Sequence, residues 1–177
     1  MDKAIKIWNS DYPYNLIQIL NGHTQCVHPI FLLKETQILI SGSSDNTLRK
    51  WTLSTYQCIK VFNDVICWTR NIIEIDNNRI IVGGKNVITI VNITTDVVEK
   101  IINDEKLNYV NSFVQLRDGN ILCGCEKGLI FLYNTKINTF FFKKDNIHEG
   151  NISCLVKINA YKFLSCSSDT TIKEWKF

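Results

Sequence analysis

The chain repeats itself at a period of about forty residues. Trp8, Trp51, Val91, Tyr133 and Trp175 are separated by 43, 40, 42 and 42 residues. Six positions ahead of each stand Asp2, Asp45, Lys85, Lys127 and Asp169. A second register runs in parallel, a largely apolar triplet spaced by three: Val27/Ile30/Leu33, Thr69/Ile72/Ile75, Val110/Phe113/Leu116 and Ile152/Leu155/Ile158. Two registers with one period mean one supersecondary unit copied several times, and that decides the fold before local propensity does.

The second copy shows the unit most clearly. Gly22-His23-Thr24 opens it, and Val27 to Leu33 is apolar and extended, with Pro29 at an irregular or edge position. Gln37 to Ser41 reads as a second strand, Gly42 to Asn46 as a tight turn, Thr47 to Trp51 as a third strand and Gln57 to Phe62 as a fourth. The triplets could mimic a helical stripe, but turn signals such as Asp76-Asn77-Asn78 and Arg117-Asp118-Gly119 end them. Phe31, Leu32, Ile73, Val114 and Val156 are apolar between the triplet positions, as in a strand buried on both faces. The fold class is therefore all-β, in four-stranded antiparallel units of about 42 residues.

Gly22-His23, followed by Ser41-Gly42-Ser43-Ser44-Asp45-Asn46-Thr47-Leu48-Arg49-Lys50-Trp51, resembles the WD-repeat family of β-propellers. The last copy has the same pattern, with His148 followed by Ser165-Cys166-Ser167-Ser168-Asp169-Thr170-Thr171-Ile172-Lys173-Glu174-Trp175. The chain departs from the family in that no Trp is followed by Asp. Its two middle copies also place Lys85 and Lys127 where Asp belongs and lack the His. The resemblance implies a structural hydrogen-bonded relay. In one copy it comprises His23, Asp45, Ser41 (or Ser43) and Trp51. In the last it comprises His148, Asp169, Ser165 (or Ser167) and Trp175.

His, Asp and Ser also suggest a hydrolase triad. The constellation occurs twice at the repeat period, as scaffolding would, and no Gly-x-Ser-x-Gly elbow is present. Cys123-x-Cys125 has the wrong spacing for a zinc knuckle and no second pair beside it. Lys85 and Lys127 read as solvated turn residues. No catalytic, cofactor or metal site is expected, so the chain is not read as an enzyme.

The formal charge of +3 is too small, and the basic residues too scattered, to imply a nucleic-acid or membrane partner. Cysteine occurs seven times (Cys26, Cys58, Cys67, Cys123, Cys125, Cys154 and Cys166), an odd number set mostly in apolar strands. Free thiols in a reducing compartment fit this better than a disulfide framework. No signal peptide and no membrane-spanning apolar run is visible, so the expected location is intracellular and cytoplasmic.

With the strands of a repeat named a to d from the axis outward, residues 1–20 supply a half blade of c and d. Residues 21–62 form a blade, 63–102 and 103–143 form degenerate blades, and 144–177 form a last blade lacking its outer strand. That totals about seventeen strands. The family closes rings of seven or eight blades, so the expectation is an incomplete ring: a fragment of a larger propeller, or else an open arc or an assembly with another chain. Closure as four blades would need Asn15–Leu20 to pair with Thr171–Lys176. An open arc leaves edge strands through which the chain could self-associate. The resemblance further implies a protein-interaction scaffold with other proteins as partners. The alternatives are a propeller-based enzyme and an RNA-binding propeller; a ubiquitin-ligase receptor role gets little support, because the Trp-Asp-x-Arg box of one such class is absent from this chain. The partner-binding face would be the one where the d–a and b–c loops emerge. There Cys26, Trp68, Tyr109 and Asn151 precede the a strands, and Glu126 and Ser168 precede the turns.

Overall fold

Short apolar strands separated by tight turns produce antiparallel sheets and almost nothing else. A computed structural model of the chain describes residues 2–33, 36–65, 68–76, 78–137 and 139–176, so Cys67 lies outside the described residues. β1 (Ile5–Trp8) and β2 (Leu16–Leu20) form a two-stranded sheet. β3 (Val27–Leu32), β4 (Ile38–Ser43), β5 (Leu48–Thr52) and β6 (Gln57–Phe62) form a four-stranded one. The next is β7 (Asn71–Asp76), β8 (Arg79–Gly83), β9 (Val87–Asn92) and β10 (Val97–Asn103). It is followed by β11 (Val110–Gln115), β12 (Ile121–Cys125), β13 (Ile130–Asn134) and β14 (Thr139–Lys144). β15 (Ile152–Lys157), β16 (Lys162–Ser167) and β17 (Ile172–Lys176) complete the series as a three-stranded sheet. Chain neighbours pair antiparallel within every sheet.

The leading strands β3, β7, β11 and β15 pack against one another in order and so line the inside of an arc. Axial side chains tie them together. Asn111 Nδ2 donates to the Ile152 carbonyl at 3.0 Å, and Gln115 Nε2 donates to that of Ile75 at 2.7 Å. A bulge recurs near the start of β3, β11 and β15, and in β3 it falls at His28 and Pro29. No pairing joins β2 to β17 among the described residues, so the four-blade closure is not formed and the arrangement is an open propeller-like arc.

The core lies between the sheets. One cluster joins Ile40, Leu48 and Phe62 of one sheet to Ile80, Val82 and Val91 of the next. A second joins Ile81, Ile88 and Ile90 to Phe113, Cys123 and Tyr133. A third joins Leu122 and Ile130 to Leu155 and Phe163, and a fourth seats Ile5 and Leu20 on Leu39 and Trp51. β8 shows why Ile80, Ile81 and Val82 follow one another without a polar residue between them. Ile80 and Val82 face the preceding sheet while Ile81 faces the following one, so both faces are buried. At the two flanks of the arc the same strand chemistry meets solvent, and Ile172 is 71% exposed.

The second strand of the first full blade is longer than its sequence suggests. Gly42 and Ser43, expected in the turn, still pair in β4. Gly42 therefore permits close packing rather than breaking the strand. A Cβ on it would collide with Thr69, just ahead of β7. The equivalents Gly83 and Gly124 would meet Phe113 and Ile152 at 2.7 Å. Gly124→Val is expected to lower stability by about 1–3 kcal/mol through overpacking against Ile152 and Leu155. An unchanged urea midpoint would mean that the sheets do not pack this closely.

Candidate functional site

Two sites follow from the repeat: a buried relay inside individual blades and a solvated face above them. In the first full blade, His23 Nδ1 lies 2.9 Å from Asp45 Oδ2, and its Nε2 lies 2.8 Å from Ser41 Oγ. Trp51 Nε1 donates to the same Ser41 oxygen at 2.9 Å. The last blade has the same geometry. His148 lies 2.8 Å from Asp169 and 2.7 Å from Ser165, and Trp175 donates to Ser165 at 2.8 Å. Ser41 and Ser165 hold the hydroxyl position. Ser43 and Ser167 instead accept from the N–H groups of Asp45 and Asp169 and shape the turn. In the first copy Asp2 pairs with Lys6, and Trp8 is 54% exposed.

Charge assignments follow from burial. His23 is pushed below its ordinary pKa of 6.5 by desolvation, against the pull of Asp45. The imidazole is therefore neutral, with Nδ1–H donating to the carboxylate and Nε2 accepting the Ser41 hydroxyl. Burial alone would raise Asp45. Hydrogen bonds from the Thr47 hydroxyl, the Thr24 N–H and His23 outweigh it and bring the carboxyl from 3.8 down to about 2. Asp169 is lowered in the same way by Thr171, His148 and the Glu149 N–H. Ser41 is fully buried and both bonded, so its oxygen is closed to any substrate. The arrangement fixes turn to strand; it does not present a nucleophile.

Thr47 and Thr171 are members of the relay that the sequence reading missed. Each hydroxyl donates to its aspartate at 2.7 Å and lies 3.1–3.2 Å from the histidine Nδ1. The signal was available as Asp-x-Thr in the two relay copies, against Val87 and Leu129 in the others.

The two middle blades replace the relay as a set. Strand register places Val82 and Val91 where Ser41 and Trp51 stand, and Val65 closes the same cluster. In the next blade these places are taken by Cys123, Tyr133 and Leu107, again in one cluster. All six are fully buried. Burial raises the thiol pKa of Cys123 and Cys125, which keeps both protonated and apolar in character. Lys85 and Lys127, at the turn positions, are exposed.

On the face above, Ser44, Glu126 and Ser168 each donate a backbone N–H, to the carbonyls of Cys26, Tyr109 and Asn151 respectively. These bonds hold the b–c and d–a loops of a blade together. Cys26 and Trp68 line a groove of about 620 Å³ with His28 and Arg70. Glu126, Asn151 and Ser168 line a second of about 310 Å³, also with Arg70. Trp68 is 52% exposed. Tyr109 is half-buried, its ring covered by the Arg70 guanidinium at 4.4 Å. Arg70 had no signal in the repeat, because it faces the axis rather than the core. No group of three or more His, Cys, Asp or Glu among the described residues could hold a metal ion, and no described helix is long and apolar enough to cross a membrane.

Asp45→Ala is expected to cost about 2 kcal/mol at neutral pH, because the turn loses its acceptor and His23 its partner. The depressed carboxyl contributes stability above pH 3.8 that is lost as the pH falls through about 2. The gap between wild type and variant should therefore close across that window in urea titrations. A gap independent of pH would remove the carboxylate from the relay.

Residues 14–52 match the family model described as WD domain, G-beta repeat. Over 87 residues the chain is 33% identical to the nuclear distribution protein nudF of Aspergillus niger, covering 48% of this chain and 20% of that protein. It is 44% identical over 62 residues to eukaryotic translation initiation factor 3 subunit I of the same species, covering 35% of this chain and 18% of that one. It is 36% identical over 90 residues to the probable coatomer subunit beta′ of Schizosaccharomyces pombe, covering 48% and 11%. These matches thus span a fifth or less of the relatives' own length. The crystal structure of the WD40 β-propeller domain of Doa1 superimposes with a TM-score of 0.80 at 18% identity, over 97% of this chain and 57% of that one. Residues 14–52 thus match a WD repeat, and the chain has a β-propeller fold standing as an open arc.

Proposed function

We propose that the chain is a protein-interaction scaffold without catalytic activity, cofactor or metal of its own, and that it acts inside the cell. Its blades follow the divisions drawn from the sequence, and the chain works as part of a larger propeller or assembly. The observation that carries this reading is the half-exposed indole of Trp68. It stands on the rim of a wide groove, on a face braced by loop-to-loop hydrogen bonds. Exposed aromatic side chains on rigid frames are favoured anchors at interfaces, because they bury large area at small entropic cost. Two of the similar proteins are named as subunits, which agrees with a role in assembly. The relay serine, closed to solvent, supports the absence of hydrolase chemistry.

Trp68→Ala and Tyr109→Ala are each expected to reduce capture of partner proteins about tenfold or more, with the melting temperature unchanged for Trp68→Ala. Quantitative affinity capture with mass spectrometry reads the effect. Undiminished capture by both variants would reject the face as the site.

A further inference from the structure

Arg70 and Lys85 converge on one aromatic ring. The Arg70 guanidinium lies 4.4 Å from the Tyr109 ring centre, and the Lys85 ammonium lies 5.9 Å from the same centre. Like charges gathered on one ring repel each other, and the attraction of the ring for each offsets this only in part. Among the described residues neither forms an ion pair, although elsewhere Lys50 meets Asp96 at 2.7 Å and Arg79 meets Asp76 at 2.7 Å. Asp104, in the neighbouring loop, directs a carboxylate oxygen to the Lys106 N–H. The two cations also stand out of pattern. Lys85 occupies a turn position that carries Asp in the relay blades, and Arg70 lies at the axial end of its blade, on the rim shared by both grooves. Trp68 lines the larger groove beside Arg70.

We propose that this face is selective for an acidic segment of a partner protein, whose carboxylates lie on Arg70 and Lys85 while an adjoining apolar side chain packs on Trp68. The proposal rests on the interaction-face reading and adds its chemistry. A guanidinium held over an aromatic ring has already lost part of its side-chain freedom, so less is lost when it makes a two-point contact with a carboxylate. The second charge makes the locus repel basic segments. Glu126, which lines the smaller groove with Arg70, sets the direction: the partner's acidic residues belong on Arg70 and Lys85, away from this carboxylate.

The test is fluorescence anisotropy with three labelled peptides: Gly-Glu-Leu-Glu repeated three times, and its counterparts with Gln or Lys in place of Glu. The Glu peptide is expected to bind the wild-type chain at least about tenfold tighter than the Gln peptide, with the Lys peptide weakest. The double variant Arg70→Glu, Lys85→Glu should reverse the order of the Glu and Lys peptides. Arg70→Gln alone should shrink the preference, which keeps the test decisive if the double variant does not fold. Equal binding of the Glu and Gln peptides, or binding of neither, overturns the proposal. So does an oligouridylate that displaces the Glu peptide and binds more tightly, since the cations would then serve phosphates. If the Glu and Gln peptides bind alike and Trp68→Ala weakens both, the acidic preference falls while the interaction face stands.

Discussion

The filling of one buried position in each blade governs the rest of the structure. Where the first strand's entry loop, the second strand and the third strand meet, three side chains share one volume, buried in every blade except at Trp175, which is half-buried at the end of the arc. Two blades fill it with His, Ser and Trp joined by hydrogen bonds. Two fill it with Val65, Val82 and Val91 or with Leu107, Cys123 and Tyr133. None of the four mixes the two chemistries by halves. A buried polar group whose partner is missing costs its full desolvation, whereas replacing the whole set by apolar side chains can be nearly neutral. Each set therefore occurs whole in its blade. The turn follows the same logic: Asp45 and Asp169 are present where there is an imidazole to receive, and Lys85 and Lys127 stand where there is none.

Packing between blades depends on this arrangement. A fixed second strand brings Gly83 and Gly124 against the next sheet's first strand, and Gly42 against Thr69 just ahead of it, at separations that leave no room for a Cβ. The sheets then stack closely along these strands, and the loops at one end of the arc are carried at set distances from one another. Their backbone hydrogen bonds turn a row of loops into a surface. The face that bears Trp68 and Arg70 is thus a product of the buried relay and its apolar substitutes, although neither touches it.

Much of the fold was legible because the repeat is a statement about packing. The period located the strands, and the triplets located the strands nearest the axis. The turn boundaries were less legible. Gly42 and Ser43 look like turn residues by composition but remain in the strand, since the glycine answers a contact from the next blade that no local window contains. Ser41 could not be told from Ser43 in sequence, because only strand register decides which hydroxyl points at the imidazole. Thr47 and Thr171 could have been found from their spacing to aspartate. Arg70 could not, because its position faces the axis and takes no part in the periodic core. Cys26, Trp68, Glu126, Asn151 and Ser168 were grouped by loop position alone. The structure distributes them over two grooves that share Arg70 and leaves Tyr109 as the support beneath it.

The equivalence of the two fillings is open to one direct measurement. The first full blade can be given the apolar set of the fourth sheet by His23→Leu, Ser41→Cys, Asp45→Lys and Trp51→Tyr, singly and together, with stability read by equilibrium unfolding in urea. Each single change should cost about 2–3 kcal/mol, because it leaves buried groups unpaired. The fourfold change should cost at least about 3 kcal/mol less than the sum of the four. A fourfold variant whose loss equals that sum would show that the blades do not exchange one filling for the other, and that the relay's bonds act independently.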